Sequence, residues 1–219
     1  MGNKTQIALI STTINAVGPM TAHVRKAAPE YKVVNYLDGY MMDKIKTEGG
    51  IYPESISRML DMIGKAFRDG AEGVIMTCTV FSPWADIFTQ TFQKPVVPAD
   101  IAMLDSASKY PGRTAIICTF EGTIDTTRNA YFTYRRKNHM PEKVDMYPIP
   151  DAFAAAQASN MDECNRLVAE KIKELDSEYD QIILAQISMS GAAELVETKH
   201  ARVFTSPSEA LKTLQAKLG

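Results

Sequence analysis

This 219-residue sequence predicts an α/β fold of two pseudo-symmetric, doubly wound parallel-sheet lobes. Three observations carry the prediction. Short β-rich apolar runs alternate with helical stripes along the whole chain, the mark of strand–helix–strand crossovers rather than hairpins. Many of those runs end in Ser, Thr, Asn, Cys or Gln, residues that suit the carboxyl ends of buried strands. The order of elements also begins again near the middle. Val74-Ile75-Met76 followed by Thr77-Cys78-Thr79 is echoed half a chain later by Ile182-Ile183-Leu184-Ala185 followed by Gln186-Ile187-Ser188. The expected lobes are residues 1–100, rejoined by 201–219, and residues 101–200.

Taken in order, Gln6 to Ile10 reads as the first strand, ending in Ser11-Thr12-Thr13-Ile14-Asn15, and Pro19 to Ala28 as a helix. Tyr31 to Leu37 is the second strand, closed by Asp38-Gly39. Tyr40 to Tyr52, with Gly49-Gly50, reads as a long connection suited to a mobile cover. From Ile56 the apolar positions Met59, Leu60, Ile63 and Phe67 recur at helical spacing up to Gly70. The third strand runs into Cys78. Ser82-Pro83 then reads as the cap and first position of a helix reaching Phe92. Pro95 to Pro98 is a short strand and Ile101 to Lys109 a helix, with Asp100 as its cap.

In the second half, Arg113 to Cys118 is a strand, ending in Thr119-Phe120-Glu121-Gly122-Thr123, and Asp125 to Lys137 a helix. Arg135, Arg136 and Lys137 fall in its last turn, where they complement the dipole from a solvated end. Val144 to Ile149 is a strand. Met161, Cys164, Leu167, Val168, Ile172 and Leu175 form a helical stripe that puts Cys164 in the core. Gln181 to Ala185 is a strand and a helix is expected from about Ala192. Val203 to Thr205, Ser206-Pro207 and the helix Ser208 to Lys217 follow.

Composition narrows the partners. A net charge of −2 and a pI near 6.0 leave no basic footprint, so nucleic acid is not expected and a small molecule is. No stretch approaches the ~20 apolar residues that span a bilayer. The opening residues lack the apolar region and cleavage site of a signal peptide, and three cysteines cannot all pair within the chain, so a cytoplasmic protein with reduced thiols is expected. His23, His139 and His200 have no paired ligand spacing, and neither Gly-x-Gly-x-x-Gly nor a Walker motif occurs. No metal or cofactor is expected; a homo-oligomer would be unsurprising.

The candidate reactive residue is Cys78. At a strand's carboxyl end, before a helix, a thiol meets backbone N–H groups and a positive helix dipole, both favouring a thiolate or a bound carboxylate. The alternative is packing, since free cysteine is among the most often buried residue types. In open α/β sheets ligands bind outside the carboxyl ends of strands, which makes Ser11, Thr12, Thr13, Asn15 and Asp38 candidate binding residues, although each also suits a turn or cap. A cleft between the lobes, floored by strand ends, is where the active site is expected, bringing Cys78 and Gln186 close together.

These segments resemble the aspartate/glutamate racemase superfamily, which includes hydantoin racemases, maleate isomerase and arylmalonate decarboxylase. Gly73 to Thr79 is similar to the segment carrying that family's first cysteine. Thr119 with Gly122-Thr123-Ile124 resembles its middle element, Ile182 to Met189 the segment of its second cysteine, and Ser206-Pro207 its final strand exit. The resemblance spans nearly the whole chain in order. It implies cofactor-independent chemistry at a carbon next to a carboxylate, through an enolate-like intermediate, in which one thiolate removes an α-proton and a second thiol returns one from the opposite face. It also implies Cys78 as acid, base or nucleophile, with Thr79, Thr119, Thr123 and Ser188 binding the anionic oxygens of a small carboxylate, to which the strand-end residues Thr12 and Asn15 are added.

One position departs from the family pattern. Gln186 stands where the second cysteine is expected, and a carboxamide cannot exchange a proton as a base at neutral pH. Gln186 is therefore expected to orient substrate or stabilise charge. Three branches remain: a racemase with another acid, such as Asp38, Asp100 or Glu121, on the second face; a single-thiol decarboxylase; and a maleate-type isomerase or lyase. A ligand-binding relative without turnover is the alternative outside enzymes. Cys118, inside its strand, reads as core.

Overall fold

The computed structural model describes residues 4–119 and 124–219, Lys46 by its backbone only. The chain divides into two compact units, one of residues 1–100 and 210–219, the other of residues 101–209.

The first unit holds β1 (Gln6–Ser11), α1 (Ile14–Ala27), β2 (Lys32–Leu37), α2 (Gly39–Thr47), α3 (Pro53–Arg68), β3 (Gly73–Met76), α4 (Ala85–Phe92) and β4 (Val96–Pro98). Its four strands are all parallel, in the order β2-β1-β3-β4. Parallel pairing demands a crossover between consecutive strands, supplied in turn by α1, by α2 with α3, and by α4. Alternate residues of the central strands face opposite ways, and both faces are apolar. Ala8, Ile10, Val74 and Met76 pack with Met59 and Ile63 of α3, while Ile7, Leu9 and Ile75 between them are equally buried.

The second unit contains β5 (Thr114–Cys118), α6 (Ile124–Lys137), β6 (Asp145–Pro148), α7 (Pro150–Gln157), α8 (Met161–Leu175), β7 (Gln181–Leu184) and β8 (Arg202–Thr205), with most of α5 (Ala99–Ser108). Its parallel strands run β6-β5-β7-β8, the order of the first sheet with every index raised by four. The repeat read from the sequence is therefore a repeat of topology. Ala115 and Ile117 share one core with Val168 and Ile172 of α8, and Ile116 and Cys118 share the other with Met103 and Leu104 of α5.

Several boundaries differ from expectation. The return to the first unit comes at Ala210, within α9 (Ser206–Leu218), and not at 201, because β8 pairs with β7. Residues 40–52 are not one long loop: α2 occupies most of them, Met41 and Ile45 being buried against the first core, and Gly49 and Gly50 follow it with φ of 71° and 156°. Pro19 lies inside α1, which starts earlier, at Ile14. Arg135 is not solvated. It is 2% exposed, and its guanidinium donates to the carbonyls of Ser108, Tyr110 and Pro141. Among the described residues, no helix is long and apolar enough to cross a membrane.

Candidate active site

The end of β3 sets the geometry around Cys78. Thr77 continues the ladder, its N–H donating to Ile10 at 2.9 Å, and its buried hydroxyl donates to the Ser11 hydroxyl at 2.9 Å. The exits of β1 and β3 are thereby locked together. Cys78 stays extended, with φ −99° and ψ 110°, and the chain then tightens into a 3-10 turn over Thr79–Trp84, where Phe81 N–H donates to the Cys78 carbonyl at 3.2 Å. Ser82 and Pro83 lie within that turn, so they do not open a helix; α4 begins at Ala85. The Ser82 hydroxyl instead donates to Asp100 at 2.5 Å. Asp100 sits in the first turn of α5 rather than ahead of it.

Cys78 is 8% exposed, and its sulfur lies 3.9 Å from the Met42 sulfur of α2. Burial pushes its thiol above the ordinary value, and the nearby Asp100 charge pushes the same way. The Thr12 hydroxyl and the N–H groups of Val80 and Phe81 pull it down, without reversing the shift. The turn does supply N–H donors, but burial outweighs them, and the net push on the thiol is upward.

Of the binding residues expected in this unit, Thr12 is brought onto Cys78. Asn15, in the first turn of α1, and Thr79 are exposed. Asp38 has a structural use: it pairs with Arg58 and accepts from Met41 N–H at the start of α2. Met42 and Thr77 carry no local signal for the site: Met42 lies in the expected connection 40–52, and Thr77 stands beside a more reactive neighbour.

The second unit repeats the construction. Gln186 is extended, with φ −113° and ψ 145°, and leads into a 3-10 stretch, Ile187–Leu195, in place of the helix expected near Ala192. Met189 N–H donates to the Gln186 carbonyl at 3.1 Å, as Phe81 does to Cys78. Gln186 therefore occupies in its sheet the place that Cys78 occupies in the other. Its side-chain oxygen accepts from Thr119 N–H at 3.1 Å, joining the exits of β5 and β7. Ser188 is half-buried within the 3-10 stretch. Thr123 and Glu121 lie outside the described residues. Cys118 and Cys164 are fully buried, Cys118 at the end of β5 and Cys164 in α8.

A family model described as Asp/Glu/Hydantoin racemase matches residues 10–213. The chain belongs to this family. Solved structures of similar fold include a Picrophilus torridus aspartate racemase (12% identity, TM-score 0.69, covering 98% of this chain and 94% of that one). An aspartate racemase homologue from Pyrococcus horikoshii has 16% identity and a TM-score of 0.67, covering 98% of this chain and 99% of its own. An allantoin racemase from Klebsiella pneumoniae has 17% identity and a TM-score of 0.64, covering 97% of this chain and 86% of its own. At such identities the likeness shows the fold. Comparison with curated proteins gives no match. The racemase-family fold thus carries, in this member, a thiol at the exit of β3 and a carboxamide at the equivalent exit of β7.

Proposed function

We propose that this racemase-family member is a cofactor-independent isomerase-type enzyme acting at the carbon next to a carboxylate of a small amino or carboxylic acid, through an enolate-like intermediate, with Cys78 as its thiol acid/base. The observation that carries the reading is the set of groups on the Cys78 sulfur: the Thr12 hydroxyl and the N–H groups of Val80 and Phe81. Hydrogen bonds to the charged form offset part of the cost of ionising a buried thiol. A thiolate formed during reaction meets donors already in place, which is what reversible proton transfer to carbon requires. Gln186 serves as a hydrogen-bonding group toward substrate oxygens, because it cannot move a proton at neutral pH.

A second reading follows from the raised thiol. A group that rests protonated is suited to giving a proton first, so a single-thiol decarboxylase, in which carboxyl loss leaves an enediolate that Cys78 protonates from one face, is the alternative. Proton NMR in deuterium oxide on amino acids, hydantoins, α-aryl malonates and maleate separates the two. Cys78-dependent loss of an α-proton signal supports the isomerase reading. Cys78-dependent carboxyl loss supports the alternative, and no change on any compound contradicts both.

A further inference from the structure

The geometry points to a second ligand site, for a small organic carboxylate with an apolar body, at the amino-terminal edge of the second sheet. A cavity of ≈ 480 Å³ opens there, beside the starts of β5 and β6 and the last turns of α6. That volume lies in the range of small-molecule sites. Cys118 and Thr119 lie at the other end of β5, about 16 Å away for a five-residue strand. The cavity is therefore separate from the strand exit that carries Thr119 and Gln186.

Its walls combine a buried cation with apolar surface. Arg135 lines the cavity and is 2% exposed, yet it makes no ion pair among the described residues. Its hydrogen bonds go to three backbone carbonyls, and its guanidinium lies 5.7 Å from the Tyr131 ring centroid. Carbonyls satisfy N–H groups but do not neutralise the charge, and a buried charge without a counter-ion is costly. Arg113, which pairs with Asp145 at 3.5 Å, and Lys143 add two further cations to the lining, against the carboxylates of Glu142 and Asp145. Glu142 is engaged by Arg136 at 2.5 Å, and Asp145 accepts from the Tyr179 hydroxyl at 2.7 Å. This balance favours a single negative charge, since a dianion would also meet those two carboxylates. Phe132 and Val144 provide the surface for an apolar body.

The rim is fixed before any ligand arrives. Gly112 has φ 108°, and a Cβ there would lie 2.4 Å from the Asp180 carboxylate, which accepts from Arg113 N–H at 2.7 Å. Gln181 donates to the carbonyls of Tyr110 and Pro111 from beneath. A preorganised wall lowers the ordering cost of binding.

The test is a titration of the ¹⁵N-labelled full chain with phenylacetate, with phenylacetamide as the uncharged isostere, followed by amide shifts. The site predicts saturable phenylacetate shifts at residues 111–114 and 142–145, at least about tenfold weaker with the amide. The Arg113→Glu/Lys143→Glu double variant, altered only at exposed side chains, should weaken phenylacetate about tenfold and leave catalytic turnover unchanged. Val144→Trp, which fills the cavity, should abolish the shifts. Equal binding of acid and amide, shifts confined to the strand exits around Cys78 or Gln186, shifts from inorganic phosphate but not from phenylacetate, or no shift up to about 20 mM would each overturn the proposal.

Discussion

The backbone N–H of Thr119 donates to the side-chain oxygen of Gln186 at 3.1 Å. An N–H can meet only the oxygen end of a carboxamide, so this bond fixes which way Gln186 is turned. It also ties the exits of β5 and β7, as Thr77 and Ser11 tie those of β3 and β1. Gln186→Leu should leave a buried N–H unpaired and destabilise the protein by about 1–3 kcal/mol, read from urea unfolding. Gln186→Cys should add a second titratable thiol and raise α-proton exchange relative to the parent, measured in deuterium oxide.

Thr77 is the matching prediction in the first unit. Its hydroxyl is buried, with its one proton shared between the Ser11 hydroxyl at 2.9 Å and the Ile10 carbonyl at 3.2 Å. Thr77→Val keeps the shape and removes those bonds. The expected loss is about 1–2 kcal/mol in urea unfolding, with turnover falling as well, because Thr12 and Cys78 are the residues that follow the tied strand ends.

The raised Cys78 thiol gives a pH prediction. In the folded protein the thiol holds its proton above the ordinary value of 9.0, because burial disfavours the thiolate. Its contribution to stability is fully present below the unfolded thiol's pKa and is lost as pH rises through the folded value, since only the unfolded chain gains by ionising early. Relative to Cys78→Ala, the wild type should lose up to about 1.4 kcal/mol per pH unit above the unfolded pKa, checked by paired urea curves at pH 7 and 10. Iodoacetamide should label Cys78 more slowly in the folded protein than in urea at equal pH. That reverses the rapid labelling a surface thiolate would show.

How much of this was legible in sequence depends on what each residue answers to. The strand runs Gln6 to Ile10, Val74 to Met76 and Gln181 to Leu184 were readable, because burial on both faces demands continuous apolar runs and no other element fits their length. The repeat was readable because each half makes the same demand. Ser82-Pro83 misled: it satisfies the local rule for a helix start, but the chain after Cys78 first turns tightly, and the Ser82 hydroxyl is taken by Asp100, 18 residues away. Arg135 misled in the same way. Its helix-end position suits solvent, while its actual partners, Ser108 and Tyr110, are distant in sequence. Long-range partners leave no local pattern, and both errors are of that kind.

Arg135 also yields a stability prediction. Arg135→Met should leave three carbonyls without their donor and cost at least about 2 kcal/mol, whereas Arg136→Met, at a side chain 57% exposed, should cost under about 1 kcal/mol. Thermal melts of the two variants side by side make the comparison.

The most direct test of the account is deuterium incorporation at the α-carbon, followed by proton NMR, for wild type and Cys78→Ser at matched folded fraction. Cys78-dependent exchange is expected on at least one carboxylate of the panel, reduced by about a hundredfold or more in Cys78→Ser, because a hydroxyl is too weak an acid to replace the thiol. Exchange that persists undiminished in Cys78→Ser would contradict it, and would move the proton transfer to a group other than this cysteine.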